Sequence, residues 1–141
     1  MPLVRLIYVS SAVAELPDAA LRSILDSAVR HNAPSDLTGM LLYCGGNFMQ
    51  VLEGEEAAVR ETYERICQDP RHKDVYLLGI NPLARRDFAA WSMGFRQLAA
   101  QDAVQHPAYA PFIGSGFQTF RIDARPGLAL EMLQRFSRLQ R

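Results

Sequence analysis

Tyr8, Asn32, Gln50 and Met93 are the residues best placed for shared chemistry, because each carries a heteroatom in a segment that otherwise reads as core. Tyr8 lies in the run Leu3-Val4-Arg5-Leu6-Ile7-Tyr8-Val9-Ser10, and Gln50 interrupts Phe48-Met49-Gln50-Val51-Leu52. Asn32 closes a stripe of apolar residues at helical spacing, and Met93 follows Trp91-Ser92. A buried donor or acceptor left unpaired costs roughly 1–3 kcal/mol, so such groups find one another or a ligand. Asn and Gln side chains combine donors with an acceptor. A planar ring rich in heteroatoms would satisfy several of them at once.

Each residue also has an ordinary explanation. Asn32 could close the helix end, and Gln50 could bond to backbone. His31 could be a surface histidine at that same end. Arg65 and Asp69 stand four apart on a helix, a spacing that gives a solvated ion pair of a few tenths of a kcal/mol. Ile24 and Ile66 could be plain helix–helix packing.

The elements that must position these residues follow from periodicity. Leu3 to Ser10 reads as a strand rich in β-branched and aromatic residues. Pro17 suits the first turn of a helix, in which Leu21, Ile24, Leu25, Ala28 and Val29 form one apolar face until Ala33-Pro34 stops it. Leu37 to Cys44 and Asn47 to Glu53 are strands joined at Gly45-Gly46, a hairpin signal. Glu55 to Asp69 is a second helix with Val59, Tyr63 and Ile66 inward, stopped by Pro70. Val75 to Ile80 and Asp87 to Gln97 complete the strands. The order β-α-β-β-α-β-β predicts an α+β, ferredoxin-like sheet with one added strand and two helices on one face.

Alternation puts Tyr8 with Val4 and Leu6, and Gln50 with Phe48 and Leu52. If the first and third strands are neighbours, the phenol and the amide can meet. Trp91, Met93 and Phe95 share a face of the last strand, and parity leaves open whether Trp91 or Met93 stands beside Gln50. The hairpin strands are apolar at both parities, so the second sheet face must be covered too. A C-terminal helix opening at Pro126, with Leu128, Met132, Leu133, Phe136 and Leu139 on one side, can cover it. A partner subunit is the alternative.

Four runs carry a family resemblance: Arg5-Leu6-Ile7-Tyr8-Val9-Ser10, Leu37-Thr38-Gly39-Met40-Leu41-Leu42-Tyr43, Phe48-Met49-Gln50-Val51-Leu52-Glu53-Gly54 and Trp91-Ser92-Met93-Gly94-Phe95. In this order they resemble the BLUF domain, the blue-light sensors that bind FAD. The likeness divides the chain into a flavin-binding sensor at 2–98 and a C-terminal helical extension at 99–141, similar to the tail of short single-domain members. It implies non-covalent FAD, with FMN or riboflavin as alternatives, held between the two helices. By the same resemblance Ile24 and Ile66 sandwich the ring, and Asn32 and His31 meet its polar edge. Arg65 lies near a flavin carbonyl, and Asp69 near the ring edge or the ribityl chain. His31 departs from members with a second Asn there. No G-x-G-x-x-G or P-loop is present to cradle the phosphates.

The function implied is photoreception rather than catalysis. Light drives electron and proton transfer from Tyr8 to the flavin through Gln50. Hydrogen bonds then rearrange, the absorption moves to the red, and the dark state returns thermally. The change would pass through Met93 or Trp91 to the C-terminal helices. No output domain is expected after the sensor. It would therefore act on an unknown downstream signalling protein, or change its own assembly as a homo-oligomer through the sheet face or the C-terminal helices.

Two rivals share the topology. An acylphosphatase-type enzyme needs an Arg and glycine spacing after the first strand, and Ser11-Ala12-Val13-Ala14-Glu15 has neither. No nucleophile–base pair or metal-ligand spacing stands out among His31, His72 and His106. An RNA-binding module needs a basic, aromatic sheet face, whereas fifteen basic and fifteen acidic residues cancel here. No nucleic-acid or membrane partner is expected on that balance. At 141 residues the chain can bury a real core. Cys44 and Cys67 are isolated, which suits a reducing compartment. With no signal-peptide pattern and no transmembrane-length apolar run, a cytoplasmic protein is expected.

Overall fold

The computed structural model describes residues 2–13, 16–89, 93–105 and 126–138. The elements are β1 (Leu3–Ala12), α1 (Asp18–Asn32), β2 (Thr38–Cys44), β3 (Asn47–Glu55), α2 (Glu56–Gln68), β4 (His72–Leu83), β5 (Gly94–Gln97), α3 (Ala100–Gln105) and α4 (Pro126–Arg138). The five strands form one sheet in the order β4-β1-β3-β2-β5. β1 is antiparallel to both β3 and β4, β2 is antiparallel to β3, and β5 joins parallel to β2. This is the expected ferredoxin-like α+β arrangement with an added strand.

Local chemistry explains the elements. Gly45 and Gly46 take φ of 54° and 94°, which closes the β2–β3 hairpin with no Cβ penalty. β4 is an edge strand, so Pro82 costs no ladder bond on its outer side. That tolerance carries β4 to Leu83, past the expected end at Ile80. Pro17 caps α1 from outside instead of opening it, and its carbonyl accepts the N–H groups of Ala20 and Leu21 at 2.9 and 3.1 Å.

The sheet has two covered faces. On one, Val4, Leu6, Tyr8, Leu41, Phe48 and Leu52 pack with Leu21 and Ile24 of α1 and Val59 of α2. On the other, Ile7, Val9, Met40, Leu42, Met49 and Val51 pack with Phe88 and with Ala129, Met132, Leu133 and Phe136 of α4. The expected covering of the second face by the C-terminal helix is therefore seen. Of the side chains assigned to that face, Leu139 lies outside the described residues and the placement of the Leu128 side chain is not described.

Two expectations need correction. Val29 is 37% exposed, because it sits at the margin of the α1 stripe beyond the reach of the sheet. The last strand begins at Gly94, not Asp87. The backbone N–H groups of Asp87 and Phe88 are directed at the Glu53 carboxylate, at 2.7 and 2.9 Å, and so are not available to a ladder.

Candidate functional site

Tyr8 and Gln50 are cross-strand partners on β1 and β3. Both point to the helix-covered face, where they are 1% and 5% exposed. The Tyr8 hydroxyl donates to Gln50 Oε1. Gln50 Nε2 in turn donates to Met93 Sδ at 3.3 Å. One amide thus links a phenol on β1 to a thioether just before β5. A Cβ on Gly39 would lie 2.0 Å from the Val51 carbonyl oxygen and 3.2 Å from Met93 Cε. Glycine at that position is what lets β2, β3 and Met93 close up. Of the two sequence candidates for the place beside Gln50, Met93 occupies it; Trp91 lies outside the described residues.

Burial pushes the Tyr8 phenol far above its ordinary pKa, and the nearby Cys67, Tyr63 and Asp69 push the same way. Tyr8 is therefore a neutral donor across the working pH range. Its ring lies 5.7 Å from that of Tyr63, tilted by 55°, and 6.4 Å from that of His72, edge-on. The Tyr63 phenol is itself pushed up to about 12, first by burial and then by its hydrogen bond with Cys67.

A cleft with about 680 Å³ of empty space, its mouth included, opens between α1, α2 and the sheet. Tyr8, Ile24, His31, Asn32, Gln50, Arg65, Ile66 and Asp69 all line it. Ile24 of α1 and Ile66 of α2 supply apolar surface from the two helices. Asn32 is the last residue of α1 and only 1% exposed, while Ala33 takes the capping position. Its backbone oxygen accepts the Leu37 N–H at 2.9 Å, which fixes the turn that places Asn32 on the cleft wall.

The polar rim has a defined protonation pattern. Arg65 Nη1 contacts His31 Nδ1. A guanidinium has only donors, so Nδ1 is the acceptor and the ring proton sits on Nε2, which donates to Thr62 Oγ1 at 3.0 Å. Burial and then the Arg65 charge lower the His31 pKa, in keeping with a neutral ring. Asp69 pairs not with Arg65 but with Arg71, through contacts of 2.6 to 3.1 Å. The Arg71 backbone N–H adds a further bond at 2.9 Å. Arg71 holds the Asp69 carboxyl below its usual range, more than burial raises it.

Sequence reasoning did not single out Ser27, Ala28, Leu41, Thr62, Arg71 and His72 as site residues, yet they line the cleft. Thr62 carried a readable signal, a hydroxyl between Val59 and Ile66 on the inward stripe of α2. His72 carried none. It opens β4 and is hydrogen-bonded through Nδ1 to Ser10 Oγ at 2.7 Å, with its ring 4.7 Å from that of Phe48. Burial lowers its pKa; Asp69 opposes this and Arg71 adds to it.

The donor set fits a flavin: flat apolar walls from Ile24 and Ile66, two buried amides, and a cationic rim. Among the described residues no cluster of His, Cys, Asp and Glu could hold a metal ion, and no helix is long and apolar enough to cross a membrane.

The family model for sensors of blue light using FAD matches residues 3–94. The photoactivated adenylate cyclase subunit beta of Euglena gracilis is 40% identical over 92 residues, which cover 64% of this chain and 11% of that protein. The blue light- and temperature-regulated antirepressor BluF of Escherichia coli (strain K12) is 42% identical over 73 residues, covering 52% of this chain and 18% of that one. The match thus spans between a tenth and a fifth of the length of these curated relatives. Among solved structures, the dark state of the BLUF protein BlrB superimposes with a TM-score of 0.77 at 27% identity, covering 96% of this chain and 97% of that one. Klebsiella pneumoniae BlrP1 with FMN and cyclic diGMP gives 0.68 at 30% identity, covering 96% and 36%.

Proposed function

This chain belongs to the BLUF family, sensors of blue light using FAD, and from that premise we propose that Tyr8, Gln50 and Met93 form its photoactive switch. The observation that carries the reading is the chain of two hydrogen bonds through one amide, Tyr8 to Gln50 and Gln50 to Met93. Ile24 and Ile66 would flank the ring of the flavin, Asn32 and His31 would meet its polar edge, and Arg65 and Asp69 would lie at the rim. FMN or riboflavin would satisfy the same contacts.

When bound, FAD absorbs blue light and gains the power to take up an electron. Tyr8 is the donor. Its phenolic proton leaves along the existing bond to Gln50 Oε1, which lowers the cost of removing the electron. Gln50 can then rest in either of two arrangements. In the dark one, Oε1 accepts from Tyr8 and Nε2 donates to Met93. After a half-turn the amide nitrogen faces Tyr8, whereas a change of tautomer would put a hydroxyl in place of Oε1; in either case the phenol oxygen can accept as well as donate. The thioether is a weak acceptor, so leaving it costs little. Two arrangements of similar energy make a bistable network that light can reset.

In this reading residues 2–98 are the sensor and residues 99–141 the extension that reports its state. The output is an act on a partner protein or a change in self-assembly, in the cytoplasm. The relatives, a photoactivated cyclase and a light-regulated antirepressor, support coupling to an effector without specifying one. The test is a difference spectrum of the flavin-loaded protein before and after blue light, repeated with Gln50→Leu. The wild type should shift to the red and relax in the dark. The variant should keep its flavin and show no shift; a normal shift in that variant rejects the switch.

A further inference from the structure

Glu53 is a carboxylate with 0% exposure that plays no part in the switch described above. Three donors converge on it. Thr38 Oγ1 and the Phe88 N–H reach Oε1 at 3.0 and 2.9 Å, and the Asp87 N–H reaches Oε2 at 2.7 Å. Arg86 closes the arrangement from above. Its Nη1 donates to the Glu53 backbone oxygen at 3.0 Å and to Thr38 Oγ1 at 2.9 Å, and its Nη2 pairs with Asp36 at 3.2 Å. Arg5, opposite Glu53 on β1, reaches Asp87 at 3.5 Å. Side chains of β1, β2 and β3 thus all hold the start of the β4–β5 connection.

That connection matters for what lies at its two ends. Phe88 is buried on the α4 side of the sheet. Met93, five residues on, is buried on the helix-covered side against Gln50. The two are only five residues apart in sequence, a reach of at most about 17 Å. Fixing Phe88 therefore limits where the Met93 thioether can stand. We propose that Glu53 is a positioning residue for the switch: it clamps the β4–β5 connection so that Met93 meets Gln50 in the dark. This rests on the photoreceptor reading and extends it to a carboxylate that never touches the flavin.

The isosteric variant Glu53→Gln tests it. An amide in place of the carboxylate turns one acceptor into a donor that faces a backbone N–H, so the clamp loosens without a change of volume. Amide hydrogen exchange at Asp87 and Phe88 should quicken by about fivefold or more, the equivalent of one hydrogen bond of ~1 kcal/mol, while exchange at Tyr8 and Val51 stays as in the wild type. In the flavin-loaded protein the return to the dark state should slow by a similar factor, because re-forming the bond to a loose Met93 gains less. In a Met93→Leu background the same substitution should leave the return rate unchanged, since the route through Met93 is already gone. Wild-type rates in a folded Glu53→Gln protein overturn the inference, as does an equal change in the Met93→Leu background. Should Glu53→Gln fail to fold, Thr38→Val removes one of the three contacts and is read in the same way. A wild-type protein with no light-induced shift would instead reject the photoreceptor reading itself.

Discussion

The hydroxyl of Tyr8 and the amide oxygen of Gln50 share one hydrogen bond between directly opposed positions of two central strands, with both side chains out of contact with bulk water. Neither group can be altered without leaving the other exposed to its own desolvation cost. Tyr8→Phe should keep the fold and bind flavin, yet leave Gln50 Oε1 without its donor. The expected loss of stability is about 1–3 kcal/mol, read by chemical denaturation, together with the disappearance of the light-induced shift. A variant that photoswitches normally would remove Tyr8 from the mechanism.

Asn32 lines the cleft from the last turn of α1, and the proposed reading sets its amide against the polar edge of the ring. Asn32→Ala removes one or two polar contacts to a bound ring, each worth about 1 kcal/mol. Affinity for flavin should fall by about tenfold, measured by titrating flavin-free protein and following absorbance. Unchanged affinity would place the ring's polar edge elsewhere.

Acidification should weaken the fold through His72. Burial holds its folded pKa below the ordinary value, which is near 6.5. The unfolded chain then binds more protons than the folded one as the pH drops. The stability is fully present above about 6.5 and is lost as the pH falls through the lower, folded value. His31 shifts in the same direction but is less buried and should contribute less. Thermal melts at a series of pH values between 7.5 and 5 should show a falling Tm, and His72→Gln should flatten that fall. An equally steep fall in the variant would assign it to other groups.

Phe136 has 0% exposure in the core between α4 and the sheet, with the Arg96 guanidinium 5.3 Å above its ring. Arg96 also reaches Asp102 at 3.4 Å, and its Nε is the one buried side-chain nitrogen or oxygen without a partner among the described residues. Phe136→Ala should cost about 3–5 kcal/mol in urea unfolding and should free α4 to exchange faster. The dark flavin spectrum should stay close to wild type, because the substitution is on the far side of the sheet from the cleft. A cost below about 1 kcal/mol would mean that α4 contributes little to this face.

Much of this was written in the sequence. Period-two alternation gave Tyr8 and Gln50 inward faces, and a ferredoxin-like order that makes their strands neighbours allowed them to meet, as they do. Double-sided apolarity of the hairpin announced a covered second face, and α4 covers it. What stayed hidden depends on register and on long-range closure. Trp91 and Met93 share parity, and no periodicity chooses between them. Glu53 falls at the end of a strand, where a carboxylate ordinarily faces water; it is buried only because the 86–88 segment folds back over it. His72 reaches Tyr8 through an edge strand whose register with β1 shifts twice, between Ile7 and Tyr8 and between Val9 and Ser11. Arg65 and Asp69 had helix spacing for a pair, but His31 and Arg71, nearer in space, took them.

β3 is buried along Asn47 to Gly54, packed on both sides of the sheet except at the cleft that Gln50 lines. Outside that cleft the packing leaves little free space, so a moving part there is favoured when it sweeps little volume. A planar amide meets that condition. Turning it by half a revolution trades an oxygen for a nitrogen of nearly equal radius and leaves the surrounding steric envelope unchanged. In the proposed switch the message would be written in the direction of donors and acceptors, and neighbouring backbone would respond to polarity instead of to pressure.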